Sequence, residues 1–277
     1  LFYNPALLAK AGIKDPPKTW QQFLEYSKKL TVMTGPTITM SGAAIGGTNV
    51  DNYTAIVSIL MMQNGASMTD NPVSRATFAS PDPSGYPPGA KALSFYASFA
   101  KAGSANQSWD PKASNSLEAF EQGKTAMLID YAYQAPVIDA TTPELNYKMT
   151  RLPQVNTAEP TNYADYWVEL VSNKSKHSEV AWDFLRFASS KVQMNRYNIA
   201  TYRPASRKDL VKDQQTDMYL GPFAQQSTSA QTWRKGNNYN ADGIFSDMIE
   251  AVLAGGSAQA AVDTGSARVT QEIVRSK

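Results

Sequence analysis

The alternation of helical segments with short apolar runs is the feature that most constrains the fold of this chain. Thr19 and Gln22 have the spacing of a helix capping box, and apolar residues follow at near-helical spacing, which predicts a helix from Thr19. Further helices are predicted over 53–63, 89–101, 116–123, from 178 onward, over 242–254 and over 257–275. Buried strands are predicted within 125–131 (TAMLIDY), 147–153 (YKMTRLP) and 166–172 (YWVELVS). Helices interspersed with strands predict an α/β architecture.

Apolar spacing also predicts which side chains face the core. Trp20 heads an apolar helix face, so we expect a core residue rather than a ligand contact. We expect Gly265 to weaken the last helix. The helix after Ser178 carries a stripe that we expect to face inward: Val180, Ala181, Phe184, Leu185 and Ala188.

Missing residue types exclude several kinds of chemistry. The chain has no cysteine and one histidine, so it cannot build a Cys/His zinc site, a thiol nucleophile or a CxxC redox pair. That histidine, His177, lies in a polar stretch before a helix and is expected to be solvated. Neither a GxSxG elbow nor a Gly-rich phosphate loop is present. We therefore expect no catalytic residues, no metal site and no cofactor.

Charge and hydropathy limit the kinds of partner that we expect for this chain. The 26 basic and 24 acidic residues nearly cancel and are spread along the chain, so we expect no nucleic-acid partner. The most apolar stretch, residues 55–62, is far shorter than the roughly 20 residues that a membrane-spanning helix needs. The sequence thus predicts no membrane span.

Five segments, in order, resemble one known family. The opening LFYNPALLAKAGIKDPPKTWQQFLEYSKKL is similar to that family's Tyr-Asn and Pro-Lys-Thr-Trp segment, and FEQGKTAM to its Phe-x-x-Gly-Lys-x-Ala-Met box. SNKSKHSEVAWDFLRFASS resembles its Ala-x-x-Phe-Leu helix, YRPAS its Pro-containing turn and IEAVLAGGSAQAAVD its closing helix pair. The family is that of the type 1 extracellular solute-binding proteins of ABC importers, and the resemblance covers essentially the whole chain.

This resemblance implies an α/β fold of the periplasmic binding protein-like type II class, with two lobes. In the family, a long N-terminal stretch that builds most of the first lobe precedes the opening segment, so we expect a chain that largely lacks its first lobe. Residues 1–160 and 226–277 are expected to form the C-terminal lobe. Residues 161–225 are expected to be a return segment of the first lobe, with exposed edges that invite pairing with another chain.

The resemblance also implies a function. We expect the substrate-binding component of an ABC importer, which captures a small solute, a mono- or oligosaccharide, by closing a hinge between two lobes. The expected partners are that solute and the ABC permease subunits. The expected location is periplasmic or extracellular with attachment to the cell surface, and a lipid anchor on the missing N-terminal part stays open. No enzymatic activity is expected.

Candidate ligand contacts lie in loops at the expected cleft. Asn49, Asp51, Asn52 and Tyr53 lie at the loop end before a helix, where the family's maltose binders present a contact. A helix cap explains Asp51 or Asn52 equally well. Tyr133 stands where maltose binders carry a stacking tryptophan, and Tyr131 where they carry glycine. Further candidates are Trp233, Tyr239, Asn240 and Asp242 before the penultimate helix, Tyr163, Asp165 and Tyr166 at the second hinge crossing, and Arg203.

Three alternatives remain open. A carbohydrate-active hydrolase would need two facing carboxyl groups, drawn from Asp51, Asp130, Asp165 and Asp242. A non-sugar solute, such as a polyamine or a metal-bearing anion, is the second, and the tyrosines at 131 and 133 keep iron open. A sensor that presents its closed form to a receptor is the third.

Overall fold

The first half of the chain alternates helices with very short strands. The structure is a computed structural model that describes residues 1–276. In chain order the elements are β1 (Phe2–Tyr3), α1 (Pro5–Lys10), α2 (Trp20–Leu30), β2 (Val32–Thr34), β3 (Thr37–Met40), α3 (Tyr53–Gln63), α4 (Pro88–Ser98), α5 (Ser116–Glu121), β4 (Met127–Leu128), α6 (Gln134–Thr141) and β5 (Lys148–Met149).

The second half is mainly helical. Its elements are β6 (Asn162–Tyr163), α7 (Ser178–Ala188), α8 (Lys191–Thr201), α9 (Lys208–Gln214), α10 (Gly221–Ser227), β7 (Ala230–Gln231), α11 (Asn238–Leu253) and α12 (Ala258–Arg275). Strand β1 pairs antiparallel with β4 on one side and β5 on the other, and β2 and β3 form a hairpin. Strands β6 and β7 pair in parallel, so the two ends of residues 162–231 lie side by side.

The predicted helices are all present, and α2, α5, α11 and α12 each begin at a residue whose side chain forms a capping hydrogen bond. The hydroxyl of Thr19 accepts the N–H of Gln22 at 3.2 Å, and Oε1 of Gln22 accepts the N–H of Lys18 at 2.8 Å. Helix α11 starts four residues before the predicted position because Asn237 caps it, accepting the N–H of Asn240 at 3.1 Å.

The strands agree less well with prediction. Two of them are present only as the residue pairs of β4 and β5. The strand predicted over 166–172 is wrong. This segment forms no regular element, and Trp167 is 89% exposed. Its apolar composition favours a strand, but no neighbouring strand among residues 1–276 pairs with it.

The predicted inward stripe of α7 is also wrong for the structure described. The helix forms, but none of its residues is buried, and Phe184 remains 64% exposed. The exposed apolar surface continues along α8 through Val192, Tyr197 and Ile199. The period of the stripe is helical, but the surface it would pack on is absent from residues 1–276.

The main core lies where α3, α4, α11 and α12 pack together. Trp20 packs against it, as predicted, and its Nε1 donates to Oε1 of Gln63 at 2.7 Å. Gly265 allows the close contact between α11 and α12, because a Cβ there would lie only 2.0 Å from Sδ of Met248. A glycine expected to weaken α12 therefore permits its packing.

Within residues 1–276, no helix is both long and apolar enough to cross a bilayer. The same residues hold no group of three or more His, Asp or Glu side chains placed to share a metal ion. His177 is exposed at the start of α7.

Candidate functional site

A cavity of about 180 Å³ brings together four of the segments singled out in the sequence. It lies where the start of α3, the loop between β4 and α6, strand β6 and the segment leading into α11 meet. We call it the tyrosine pocket. Its lining residues are Asn52, Tyr53, Thr54, Ala55, Tyr131, Tyr163, Asp165, Lys235, Asn238 and Asp242.

Helix α3 enters this pocket without a side-chain cap. Asn52 occupies the cap position in the left-handed conformation (φ 58°), but its side chain makes no capping hydrogen bond. Its Nδ2 instead donates to Oδ1 of Asp130 at 2.8 Å. The N–H groups of Tyr53, Thr54 and Ala55 consequently find no acceptor among residues 1–276. The expectation that Asn52 caps the helix is wrong, and Asp51 does not replace it.

Asp130 lies behind the pocket lining rather than in it. Its Oδ1 accepts the Asn52 amide and also the N–H of Tyr131 at 2.7 Å, while Oδ2 is buried with no hydrogen-bond partner. Burial raises the pKa of Asp130 to about 7, and the nearby carboxyl of Asp51 adds to the rise. Burial also raises the pKa of Asp51. Near neutral pH, Asp130 is thus partly protonated.

Tyr131 and Tyr133 form a stacked pair beside the pocket. Their ring centroids are 5.9 Å apart with planes inclined by 17°, and only Tyr131 lines the cavity. The Arg203 guanidinium lies 5.6 Å from the centroid of the Tyr133 ring and forms a cation–π contact with it. Burial raises the pKa of Tyr131, so its hydroxyl stays protonated and can donate a hydrogen bond.

Lys235 lines the pocket although it is not among the candidates predicted from the sequence. It is 8% exposed, and its Nζ donates to the Tyr163 hydroxyl at 2.9 Å. The same Nζ lies 5.7 Å from the Tyr163 ring centroid and 5.9 Å from that of Trp233. No carboxylate comes within 4.0 Å of it among residues 1–276. Lysine is mostly a surface residue, so the sequence around Lys235 does not indicate that its side chain is buried.

Gly236 explains how Lys235 is held. Its φ is +77°, and a Cβ there would lie 2.6 Å from the backbone of Glu272 in α12. Only glycine fits this close, left-handed approach. The loop before α11 is therefore pressed onto α12, with Lys235 turned into the protein.

Some of the predicted site residues line the pocket, some lie just outside it, some have structural partners and some face solvent. The candidates that line the pocket are Asn52, Tyr53, Tyr131, Tyr163, Asp165 and Asp242. Asp51 and Tyr133 lie near Asp130 just outside it. Others have structural partners instead. The amide of Asn49 bonds the carbonyls of Asp110 and Ala113, and the amide of Asn240 donates to Glu272 at 2.7 Å.

Trp233, Tyr166 and Tyr239 also lie outside the pocket lining. Trp233 is buried in the core, where its Nε1 donates to the Ser58 hydroxyl at 3.1 Å. Tyr166 and Tyr239 are exposed, Tyr239 by 86%. Trp233 thus serves packing, Tyr166 and Tyr239 face solvent, and Lys235 is the residue just before α11 that lines the pocket.

A second, shallower cavity of about 400 Å³ lies between α8 and α9. Lys191 and Asp213 both line it and lie 3.5 Å apart, and no predicted site residue reaches it. The tyrosine pocket is therefore the better candidate site.

Comparison with known proteins agrees with the fold just described. The family model described as "Bacterial extracellular solute-binding protein" matches residues 1–195. A putative binding protein of Brucella abortus, BAB2_0491, is 25% identical over 197 residues, covering 69% of this chain and 44% of its own length. The sn-glycerol-3-phosphate-binding periplasmic protein UgpB of Agrobacterium fabrum is 24% identical over 283 residues, covering 95% and 62%. The chain thus spans between about half and two thirds of the length of these relatives.

Solved structures give the same result at the level of fold. An ABC transporter solute-binding protein from Thermotoga lettingae, bound with α-D-tagatose, has a TM-score of 0.75 at 22% identity, covering 98% of this chain and 69% of that one. The sugar-binding protein MalE from Xanthomonas citri has a TM-score of 0.79 at 19% identity, covering 99% and 68%. At these identities the likeness establishes a shared fold.

Proposed function

The chain belongs to the family of bacterial extracellular solute-binding proteins, and we propose that it captures a small polyhydroxylated solute for an ABC importer. Its fold is the α/β, periplasmic binding protein-like type II fold of the MalE-like structures. The family and its structural neighbours are binding proteins rather than enzymes, and the family's location is extracytoplasmic. Delivery to permease subunits and attachment to the cell surface are parts of the proposal.

The composition of the tyrosine pocket is the observation that supports this function best. Tyr131 and Tyr163 offer ring faces on which the apolar face of a sugar can stack. The carboxylates of Asp165 and Asp242 accept hydrogen bonds from hydroxyl groups. An unpaired, desolvated hydroxyl costs about 1–3 kcal/mol, so a pocket with many polar groups favours a solute with many hydroxyls.

The relatives support a polyhydroxylated solute but do not identify which one it is. The structural neighbours named above are described with tagatose and as sugar-binding, and one sequence relative is named for sn-glycerol 3-phosphate. A mono- or oligosaccharide remains our first proposal. A polyamine or a metal-bearing anion, including iron held by the paired tyrosines, is the alternative outcome of the test below.

Hinge closure is proposed from the pairing of β6 with β7. We propose that residues 1–160 and 226–277 form one lobe and that 161–225 belongs to the other. Strand β6 lies at the start of residues 161–225 and β7 lies just after their end, and the two strands pair side by side next to the pocket that Tyr163 lines. The exposed apolar faces of α7 and α8 support the proposal that residues 161–225 pack against a further protein surface.

A hydrolase is the less favoured reading because of where the carboxyl groups lie. Asp130 has the raised pKa that suits a general acid, but both its oxygens are engaged or buried behind the lining. It cannot reach a glycosidic oxygen from that position. Assays for release of reducing sugar from oligosaccharides should therefore stay at background.

Thermal unfolding against a panel of mono-, di- and trisaccharides tests the proposal. A ligand bound only by the folded state stabilises it by RT ln(1 + [L]/Kd), about 2.7 kcal/mol at 100 times Kd. The Tyr131→Ala variant should lose the shift, whereas Tyr239→Ala, which changes an exposed tyrosine outside the lining, should keep it. If no sugar shifts a cooperative transition but a polyamine or a ferric complex does, the sugar proposal is wrong.

A further inference from the structure

The tyrosine pocket contains three groups that all favour a negative charge. The first is the N-terminus of α3, an eleven-residue helix with its first three N–H groups unbonded among residues 1–276. Unsatisfied N–H groups and the helix dipole make such an end an anion site when it is accessible. Tyr53, Thr54 and Ala55 line the cavity, so this end is accessible to a solute.

The second group is the hydroxyl of Thr54. The residue is 6% exposed and lines the cavity, and its Oγ1 has no hydrogen-bond partner. A buried hydroxyl without a partner costs free energy, so such atoms in native proteins are few. Placed in the first turn of α3, this one can donate to the same acceptor as the helix N–H groups.

The third group is the Lys235 ammonium. One of its donors is used by Tyr163, and no carboxylate neutralises it among residues 1–276. Burying an unpaired charge is costly, and the Tyr163 hydroxyl together with the ring faces of Tyr163 and Trp233 compensates for it in part. A buried lysine that lines a cavity and lacks an anion is therefore poised for an anion from outside.

Carboxyl groups also lie in and behind the pocket. Asp165 and Asp242 line the cavity, but both are exposed, so water and salt screen them. Asp51 and Asp130 lie behind it, and the Asp130 oxygens face Asn52, Tyr131 or buried space. The buried part of the lining thus presents hydrogen-bond donors, from Lys235, Thr54 and the start of α3, while the exposed carboxylates of Asp165 and Asp242 can accept hydroxyl groups.

We propose that the pocket recognises a polyhydroxy solute that carries one anionic group, a phosphate ester or a carboxylate, held between Lys235, Thr54 and the open end of α3. The inference rests on the proposed function, because it names the class of solute that the same pocket takes. The hydroxyl-bearing part of that solute faces Asp165 and Asp242 at the mouth.

Paired ligands test the proposal on the full-length protein. Titration calorimetry should compare sn-glycerol 3-phosphate with glycerol, glucose 6-phosphate with glucose, and glucuronate with glucose. We expect at least one anionic member to bind about tenfold or more tightly than its neutral parent, since charge-assisted hydrogen bonds are the strong ones. The phosphate and carboxylate arms then distinguish the two sources of charge.

Two variants locate the effect. Lys235→Gln and Thr54→Val should each bring the anionic-to-neutral affinity ratio back towards one, whereas Lys101→Gln, which removes an exposed lysine outside the pocket, should leave the ratio unchanged. Near-ultraviolet circular dichroism checks that each variant is folded. If Lys235→Gln does not fold, Thr54→Val and the wild-type ratio decide.

The possible outcomes separate this inference from the proposed function. Tighter binding of neutral sugars than of their anionic counterparts overturns the inference and leaves the proposed function standing. An anionic preference that survives both pocket variants also overturns it. Binding of no sugar, polyol or anionic derivative overturns both proposals together.

Discussion

The side-chain amide of Asn52 donates a 2.8 Å hydrogen bond to Oδ1 of Asp130, which lies 78 residues further along the chain. This bond fixes the start of α3 against the loop after β4. It also diverts the Asn52 side chain from capping the helix, and so leaves the N-terminus of α3 open to the pocket. One contact therefore shapes both the backbone and the electrostatics of the candidate site.

Two substitutions of Asn52 should separate the stability that its side-chain hydrogen bond contributes from the stability that depends on its left-handed backbone. Asn52→Gly keeps the left-handed backbone but removes the donor, and we expect a loss of about 1 kcal/mol in the free energy of unfolding. Asn52→Ala should cost about 1 kcal/mol more, because alanine is strained at φ 58°. Urea denaturation measures both. Equal effects of the two variants would contradict the importance of the left-handed conformation.

Asp130 should give the folding stability a specific pH dependence. Its pKa is about 7 in the folded protein against an ordinary value of 3.8, so between those pH values the folded state holds a proton that the unfolded state has lost. Stability from this group is full below about pH 4 and falls as the pH rises towards 7, by on the order of a few kcal/mol. Asp130→Asn should remove that slope.

The Asp130→Asn variant should also be more stable than the wild type above pH 7, because no charge is then buried. Denaturation curves from pH 4 to pH 8 measure the effect, with Asp15→Asn as a control for the loss of one exposed negative charge. An unchanged slope in Asp130→Asn would show that other groups carry the pH dependence.

Trp233 should behave as a core residue rather than as a ligand contact. Trp233→Ala should cost about 3–5 kcal/mol, since the ring fills space between Phe78 and Phe245. Trp233→Phe keeps an aromatic ring and loses the bond to Ser58, so we expect a smaller loss of about 1–2 kcal/mol with solute affinity nearly unchanged. A large drop in affinity without a drop in stability would return Trp233 to the ligand contacts.

Sequence predicted the helices well because their signals are local. The Thr19 cap and the stop at Asn64 depend only on residues a few positions away. Strand 166–172 failed because a strand also needs a partner, which no local pattern supplies. About half of the pocket lining was predictable. Asn52 and Tyr131 were selected because they are polar or aromatic residues in loops next to predicted helices and strands. Lys235 and Thr54 could not be selected in this way, because only the structure shows that they are buried and lack a carboxylate or hydrogen-bond partner, respectively, among residues 1–276.

The two helical glycines of the last helix pair should respond to alanine with opposite signs. Alanine favours a helix interior over glycine by about 1 kcal/mol, so Gly243→Ala in α11, where a new Cβ meets nothing within 4 Å, should stabilise the protein by about that amount. At Gly265 the new Cβ would lie 2.0 Å from Sδ of Met248, so Gly265→Ala should instead destabilise it by about 1–3 kcal/mol. Thermal and urea unfolding measure both. The double variant Gly265→Ala with Met248→Ala should cost less than the sum of its single changes, because shortening residue 248 relieves the overlap. Stabilisation by Gly265→Ala alone would mean that α11 and α12 do not pack as closely as described.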